Sequence, residues 1–537
     1  MRYRISEIKI DPKKVAAESG GISRAALERE IDAEIRRTLR THRTLIVISD
    51  IEIVRESVDA RKKPNVKLVY TVDFECGAML DLPFAETREY FTPKTLVSPQ
   101  KPRPVVAGFG PCGIFAALIL AEAGLKPIVI ERGKAMDERI SDVESFWKSE
   151  GKADPDPESN VQFGEGGAGT FSDGKLTTGI RDIRIRKVLQ SFVSAGADPI
   201  ILIKHKPHIG TDRLRQVVKN LRLKIEEMGG EVRFSRKLTG LEVSDGALKA
   251  VTVVNTEDGS SEKIETDNLI LAIGHSARDT FRMLYEDGFD MKQKPFSIGV
   301  RIEHPQRVIN RAQYGDESLA EILGPAEYKM SYRCREDSGN EMAGRGVYTF
   351  CMCPGGEVVN ASTEAGTSVT NGMSNRARDG EFANSAVLVD VRTSDFGDDS
   401  PLAGIAFQQK YEALAWENRT ERGMARCTYG EFADSRERGG AVRNSLPAFA
   451  REAILEAVPE FGRKLKGFDD GEARLTAVES RSSSPVRILR DENMEITRNG
   501  ASVKGIIPAG EGPGYAGGIM SAAVEGIKAA EKVAANY

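Results

Sequence analysis

Alternation and helical spacing divide the chain before any side-chain chemistry is considered. Val66, Leu68, Tyr70, Val72 and Phe74 alternate with Lys67, Thr71, Asp73 and Glu75, the pattern of a half-buried strand. Arg4 to Ile10 reads as an earlier strand. Ser23 is a good N-cap for a helix whose Leu27, Ile31, Ile35 and Leu39 form one stripe. Residues 1–98 thus predict a small N-terminal α+β module. Pro93, Pro99, Pro102 and Pro104 then predict a stiff linker, because proline fixes φ and cannot sustain a central strand.

Beyond the linker, an apolar strand from Pro104 runs into Gly108-Phe-Gly110-Pro111-Cys112-Gly113, a G-x-G-x-x-G string. Ile114, Ala117, Leu118 and Ala121 share a helical stripe that Gly124 closes, and Pro127 to Glu131 is a second strand. Thr211 starts another helix, with Leu214, Val217, Val218, Leu221 and Ile225 on one face. Short strands follow at Glu231–Phe234, Leu248–Val254 and Asp267–Ile273, the last ending at Gly274. Ser297–Glu303 and Ala386–Val391 alternate like strands, separated by a polar stretch rich in Gly and Asn. A final strand leads into Gly510-Glu511-Gly512 and an Ala-rich helix. The fold class is α/β. We expect a Rossmann-type dinucleotide domain from the discontinuous segments 99–289 and 475–537, with an inserted mixed α/β substrate domain at 290–474.

Composition narrows the function. With 40% hydrophobic and 29% charged residues, the chain of 537 can bury a sizeable core. A net charge of -4 argues against a general nucleic-acid coat protein. No apolar run reaches the roughly 18 residues of a membrane span, and the N-terminus lacks a signal-peptide core. Six dispersed cysteines do not make a disulfide framework, so a reducing cytoplasm is the expected setting. Cys351-Met-Cys353 reads as buried thiols or as a redox or metal pair. Five histidines without paired spacing give no expected metal site. In the N-terminal module, Arg36, Arg37, Arg40, Arg43 and Arg61-Lys62-Lys63 read as a solvated face, or as a patch for RNA, an anionic ligand or a partner. Nucleic acid is therefore not excluded for that module.

Each part of the first glycine string has a physical task. Gly108 permits the tight turn, Gly110 lets backbone approach a pyrophosphate, and Gly113 lets helix and strand pack closely. The helix N-terminus then offers N–H groups to the anion, and Glu131 can accept from ribose hydroxyls. Gly164-x-Gly166-x-x-Gly169 and Gly512-x-Gly514-x-x-Gly517 match the same string but lack the strand and acid that should follow. In the second cluster, Ser172, Asp173 and Lys175 either orient a substrate or hydrogen-bond the turn. His275 is a candidate for proton transfer, the alternative being a structural histidine held by backbone. Arg278 holds a phosphate or carboxylate, or caps its helix by a salt bridge. Arg301, Arg376 and Arg481 are candidates for bidentate recognition of an acidic substrate, or ordinary loop donors.

The layout resembles two-dinucleotide-binding-domain flavoproteins, whose FAD domain is assembled from N-terminal, middle and C-terminal pieces. More closely, Gly108–Gly133, Asn160–Leu176, Leu271–Phe281, Thr349–Glu364, Arg481–Ile488 and Ala509–Ala523 resemble the bacterial family of uncharacterised FAD-dependent, or NAD-utilising, dehydrogenases. The resemblance implies FAD on Gly108, Gly110, Pro111, Cys112, Gly113, Glu131 and Arg132. Gly166, Gly167, Gly169, Thr170 and Gly274 would border the flavin side. Gly510, Glu511, Gly517, Gly518 and Ile519 would hold the ribityl chain and pyrophosphate, with Glu511 standing where such flavoproteins carry Asp. Tyr515 packs against the flavin ring or belongs to the domain core. An FAD-dependent oxidoreductase exchanging hydride with flavin N5 is the expected function. Lys175 and His275 are its catalytic candidates, and the substrate is a small molecule, anionic on the arginine reading. NAD(P)H is a candidate transient electron donor, approaching the flavin face without a domain of its own, although no complete second Rossmann unit is present. The rivals are a flavoenzyme acting on RNA and an FAD-carrying redox sensor without turnover.

Overall fold

The computed structural model describes residues 1–39, 47–86, 89–94, 101–336, 341–434 and 439–537. Arg40, Arg43 and Pro99 lie outside them. In the N-terminal module, strand Lys67–Cys76 is central in an antiparallel sheet between Arg2–Ile10 and Ile48–Asp59. Helix Arg24–Leu39 buries Leu27, Ile31, Ile35 and Leu39 in one cluster with Leu68, Tyr70 and Val72. Strand Ile48–Asp59 was not evident in the sequence. It is an edge strand with a single buried position and so carries little alternation. Its neighbouring cations are largely paired: Arg36 with Asp32, Arg37 with Glu34, and Arg61 with Asp59.

The dinucleotide domain is built on a five-stranded parallel sheet. Its order is Ile506–Pro508, Leu269–Leu271, Val105–Ala107, Ile128–Ile130 and Glu231–Arg233. The first four are short, wholly buried strands, because elements cover both faces and every position must be apolar. Helix Pro111–Glu122 lies against the C-terminal helix Ile519–Ala534. A Cβ at Gly526 would lie 2.0 Å from the Cys112 carbonyl oxygen, so the two helix backbones touch there. Residues about 400 apart in sequence thereby join one core around Phe115, Ile119 and Ile527. An antiparallel sheet of Arg236–Ser244, Ala247–Asn255 and Ser261–Glu265 extends this domain. Only its middle strand was evident from the sequence.

The insert is organised by a six-stranded sheet in the order Ser331–Arg333, Gly346–Cys353, Phe382–Val391, Phe296–Pro305, Arg474–Glu479, Ala425–Thr428. Phe296–Pro305 is buried along almost its whole length, between two long neighbours and under helix Ala448–Lys464. Strand Arg474–Glu479 belongs to this sheet, so the expected division at 474/475 falls inside the insert and not at its edge. Among the described residues no helix is long and apolar enough to cross a membrane.

Candidate active site

One cavity lies between the carboxyl ends of the parallel strands and the inserted sheet. Its floor is the turn from Val105–Ala107 into helix Pro111–Glu122. Gly108 has φ +99°, and a Cβ there would sit 2.4 Å from the Ala272 carbonyl oxygen. A Cβ at Gly113 would sit 1.9 Å from the Gly108 oxygen, so strand and helix can close only without side chains. Gly110 differs: its added Cβ would meet only Gly167 Cα, at 3.7 Å, and otherwise point into open cavity. No side chain caps this helix or the C-terminal helix starting at Ile519, and both N-termini border the cavity. Their free N–H groups and dipoles favour an anion at that place.

Glu131 is buried at the end of its strand. It accepts from the Phe109 N–H at 2.8 Å and from Gly133 and Gly164 at 2.9 Å each, tying the two glycine loops together while still facing the cavity. Arg132 stacks on Phe163 at 4.3 Å and pairs with Glu158 and Asp279. The second glycine loop rests on buried Arg139, whose guanidinium donates to the carbonyls of Asn160, Val161, Glu165 and Gly167. With its carbonyls held from below, the loop presents Gly167, Ala168 and Gly169 to the cavity.

Of the expected cofactor residues, Gly108, Gly110, Pro111, Cys112, Glu131, Arg132, Gly167, Gly169, Gly274, Glu511, Gly518 and Ile519 line this cavity. Gly113, Gly166, Gly510 and Thr170 are buried outside its lining, and the exposed Gly517 does not line it either. Gly166, at φ +88°, turns the loop, while Thr170 donates to the Glu165 carbonyl and accepts from Thr211. Burial pushes the Glu511 carboxyl up to about 7, although the Gly518 N–H and Lys294 oppose the shift.

Several expectations about substrate residues need correction. Arg301 is fully buried, and its donors are spent on Glu479, the Cys351 carbonyl, Asn384 and Asn371. Arg376 lies outside the cavity and pairs with Asp198. Arg481 does reach the cavity wall, but Glu412, Ser276 and Thr363 take its N–H groups. Arg278 meets the other side of Glu412, so this buried carboxylate clamps the dinucleotide domain to the insert. His275 lines the cavity with Nδ1 2.9 Å from Ser276 Oγ. Burial, reinforced by Arg481 and Arg278, pushes its pKa down to about 3, so the neutral imidazole is a poor proton donor or base near pH 7. Tyr515 lies outside the cavity lining, half-buried, stacked on Arg490 at 3.6 Å and donating to the Ile488 carbonyl. Lys175 lines the cavity.

The sequence reading missed the wall that the inserted sheet contributes, including Phe350, Thr370 and Glu479. Cys351 joins it with a half-buried thiol, while Cys353 is buried behind. The only sequence signal was the Thr349–Glu364 string, which marked a segment without marking a role.

A family model described as FAD-dependent protein, C-terminal domain-like, matches residues 295–482. A second, described as a domain of unknown function, matches residues 2–75. An uncharacterised protein of Clostridium beijerinckii is 45% identical over 511 residues, covering 90% of this chain and 92% of the relative. The chain belongs to the family of that protein. The matched FAD-dependent domain supplies the cavity wall opposite the dinucleotide turn, and the uncapped helix ends and the open space over Gly110 fit a diphosphate. FAD is the cofactor of this protein. Among solved structures, the flavin-dependent brominase Bmp2 is 12% identical, with TM-score 0.38 over 82% of this chain and 80% of that one. A flavocytochrome c3 fumarate reductase is 11% identical, with TM-score 0.32 over 81% and 78%.

Proposed function

We propose that the protein is an FAD-dependent oxidoreductase that exchanges hydride between flavin N5 and a carbon of a small-molecule substrate. NAD(P)H, approaching without a domain of its own, is the proposed electron donor in the reductive direction. The observation behind this reading is the continuity of one cavity from the Gly108–Gly113 turn to the inserted sheet at Phe350 and Thr370. When bound, FAD supplies the two-electron chemistry. The chain supplies position: the two helix N-termini hold the diphosphate, and the Gly167–Gly169 backbone borders the flavin side. The insert closes the far wall and limits water. Glu511, with a carboxyl that titrates near neutral pH, can hold a proton at the cavity edge.

The test is anaerobic mixing of the yellow holoprotein with NADH, NADPH and a panel of metabolites, following loss of the visible flavin band. Bleaching by at least one donor within a turnover time is expected. A flavin that dithionite reduces but no nucleotide or metabolite does would refute the reading.

A further inference from the structure

At the insert end of the cavity, one cation has no carboxylate within hydrogen-bond distance among the described residues, although its charge also acts on Glu327. Lys175 keeps 23% of its side chain accessible, and its single ion-pair contact among the described residues is Asp173 Oδ2 at 3.9 Å. That carboxylate is already committed: Arg378 takes it with Nε at 2.9 Å and with Nη2, and the Ser374 hydroxyl donates to it as well. Arg378 also reaches Glu327 at 2.7 Å, and Lys206 lies 3.4 Å from the same carboxylate. The group thus holds three cations, Lys175, Arg378 and Lys206, against two carboxylates, Asp173 and Glu327. Of the cations only Lys175 lines the cavity.

Two further groups complete the place. Thr370, 2% exposed and on the cavity wall, has a hydroxyl with no hydrogen-bond partner among the described residues. An unmet buried hydroxyl costs free energy that a ligand can recover. Phe350 keeps 40% of its surface accessible although it lies in a strand facing the cavity.

We propose that this end of the cavity binds the carboxylate of a substrate with a flat, apolar body. Lys175 Nζ pairs with the carboxylate, Thr370 Oγ1 donates a second hydrogen bond, and the Phe350 ring covers the body. The assignment rests on the oxidoreductase reading and names its substrate class. It moves anion recognition from the arginines, which are internally neutralised, to a lysine.

Sodium benzoate, with benzyl alcohol as the neutral control, tests it in the full-length holoprotein by calorimetry and by perturbation of the visible flavin spectrum. Lys175→Met should weaken benzoate roughly tenfold or more, the value of one charge-assisted hydrogen bond. It should change benzyl alcohol binding less than about twofold. Thr370→Val should weaken benzoate about threefold or more and keeps the test decisive if Lys175→Met loses its flavin. Arg376→Met should bind as wild type does. Benzoate that leaves a yellow wild-type protein unperturbed, or that binds both variants as tightly as wild type, would overturn the assignment alone. A preparation that cannot take up FAD would instead overturn the reading beneath it.

Discussion

Gly110→Ala separates the cofactor's needs from those of the fold. Its backbone, at φ -81° and ψ -173°, is extended and open to any residue, and the new methyl would touch only Gly167 Cα. The apo variant should therefore unfold in urea within about 0.5 kcal/mol of wild type. With FAD the same methyl occupies the approach to the uncapped N–H groups of helix Pro111–Glu122. A diphosphate pushed outward by a methyl radius loses roughly two charge-assisted hydrogen bonds of about 1.5–3 kcal/mol each. The Kd for FAD should rise by roughly 10² to 10⁴. Gly113→Ala is the contrast, since its methyl would sit 1.9 Å from the Gly108 carbonyl oxygen, backbone against backbone. That clash should cost about 1–3 kcal/mol of apo stability or more, as overpacking does. Titrating deflavinated protein with FAD, alongside urea melts of the same samples, reads both quantities. If Gly110→Ala binds FAD within threefold of wild type, or destabilises the apo protein as much as Gly113→Ala, the diphosphate does not run over this turn.

Other consequences follow from the ionised groups. Glu412 is fully buried between Arg278 and Arg481, so Glu412→Gln leaves Arg481 without a carboxylate and Arg278 with Glu364 alone, and should cost roughly 3 kcal/mol in urea; a loss below about 1 kcal/mol would contradict the clamp. Burial raises the Glu511 carboxyl from 4.5 to about 7. The folded apo protein therefore holds a proton that the unfolded chain releases. The stability difference between wild type and Glu511→Gln should shift against wild type as pH rises from about 4.5 to about 7, then stay level, by at most roughly 3 kcal/mol. A difference that does not vary with pH would remove that proton from the site.

How far the sequence could be read depended on the range of the interactions involved. The strand–turn–helix–strand unit from Val105 to Ile130 was legible because its demands are local: Gly113 must pass the Gly108 carbonyl five residues back. The Leu27–Leu39 stripe and the alternation at Lys67–Cys76 were legible for the same reason. Strand Arg236–Ser244 was not, because its positions are mostly half-exposed and show no clean alternation. The fate of the arginines was legible least. Arg301 meets Glu479 at a separation of 178 residues, and Arg481 meets Glu412 at a separation of 69. Residue type alone made these guanidinium groups look like substrate anchors. Physics points the other way once they enter a sheet or a domain seam. An unpaired charge taken out of water there costs several kcal/mol, so the protein must neutralise it before any ligand arrives. Lys175 escapes this constraint because it sits on a loop at the cavity, partly hydrated, while its sequence neighbour Asp173 is drawn away by Arg378, 205 residues downstream. The cation proposed for a ligand is thus one that no carboxylate meets at hydrogen-bond distance among the described residues, a property set by contacts far apart in sequence.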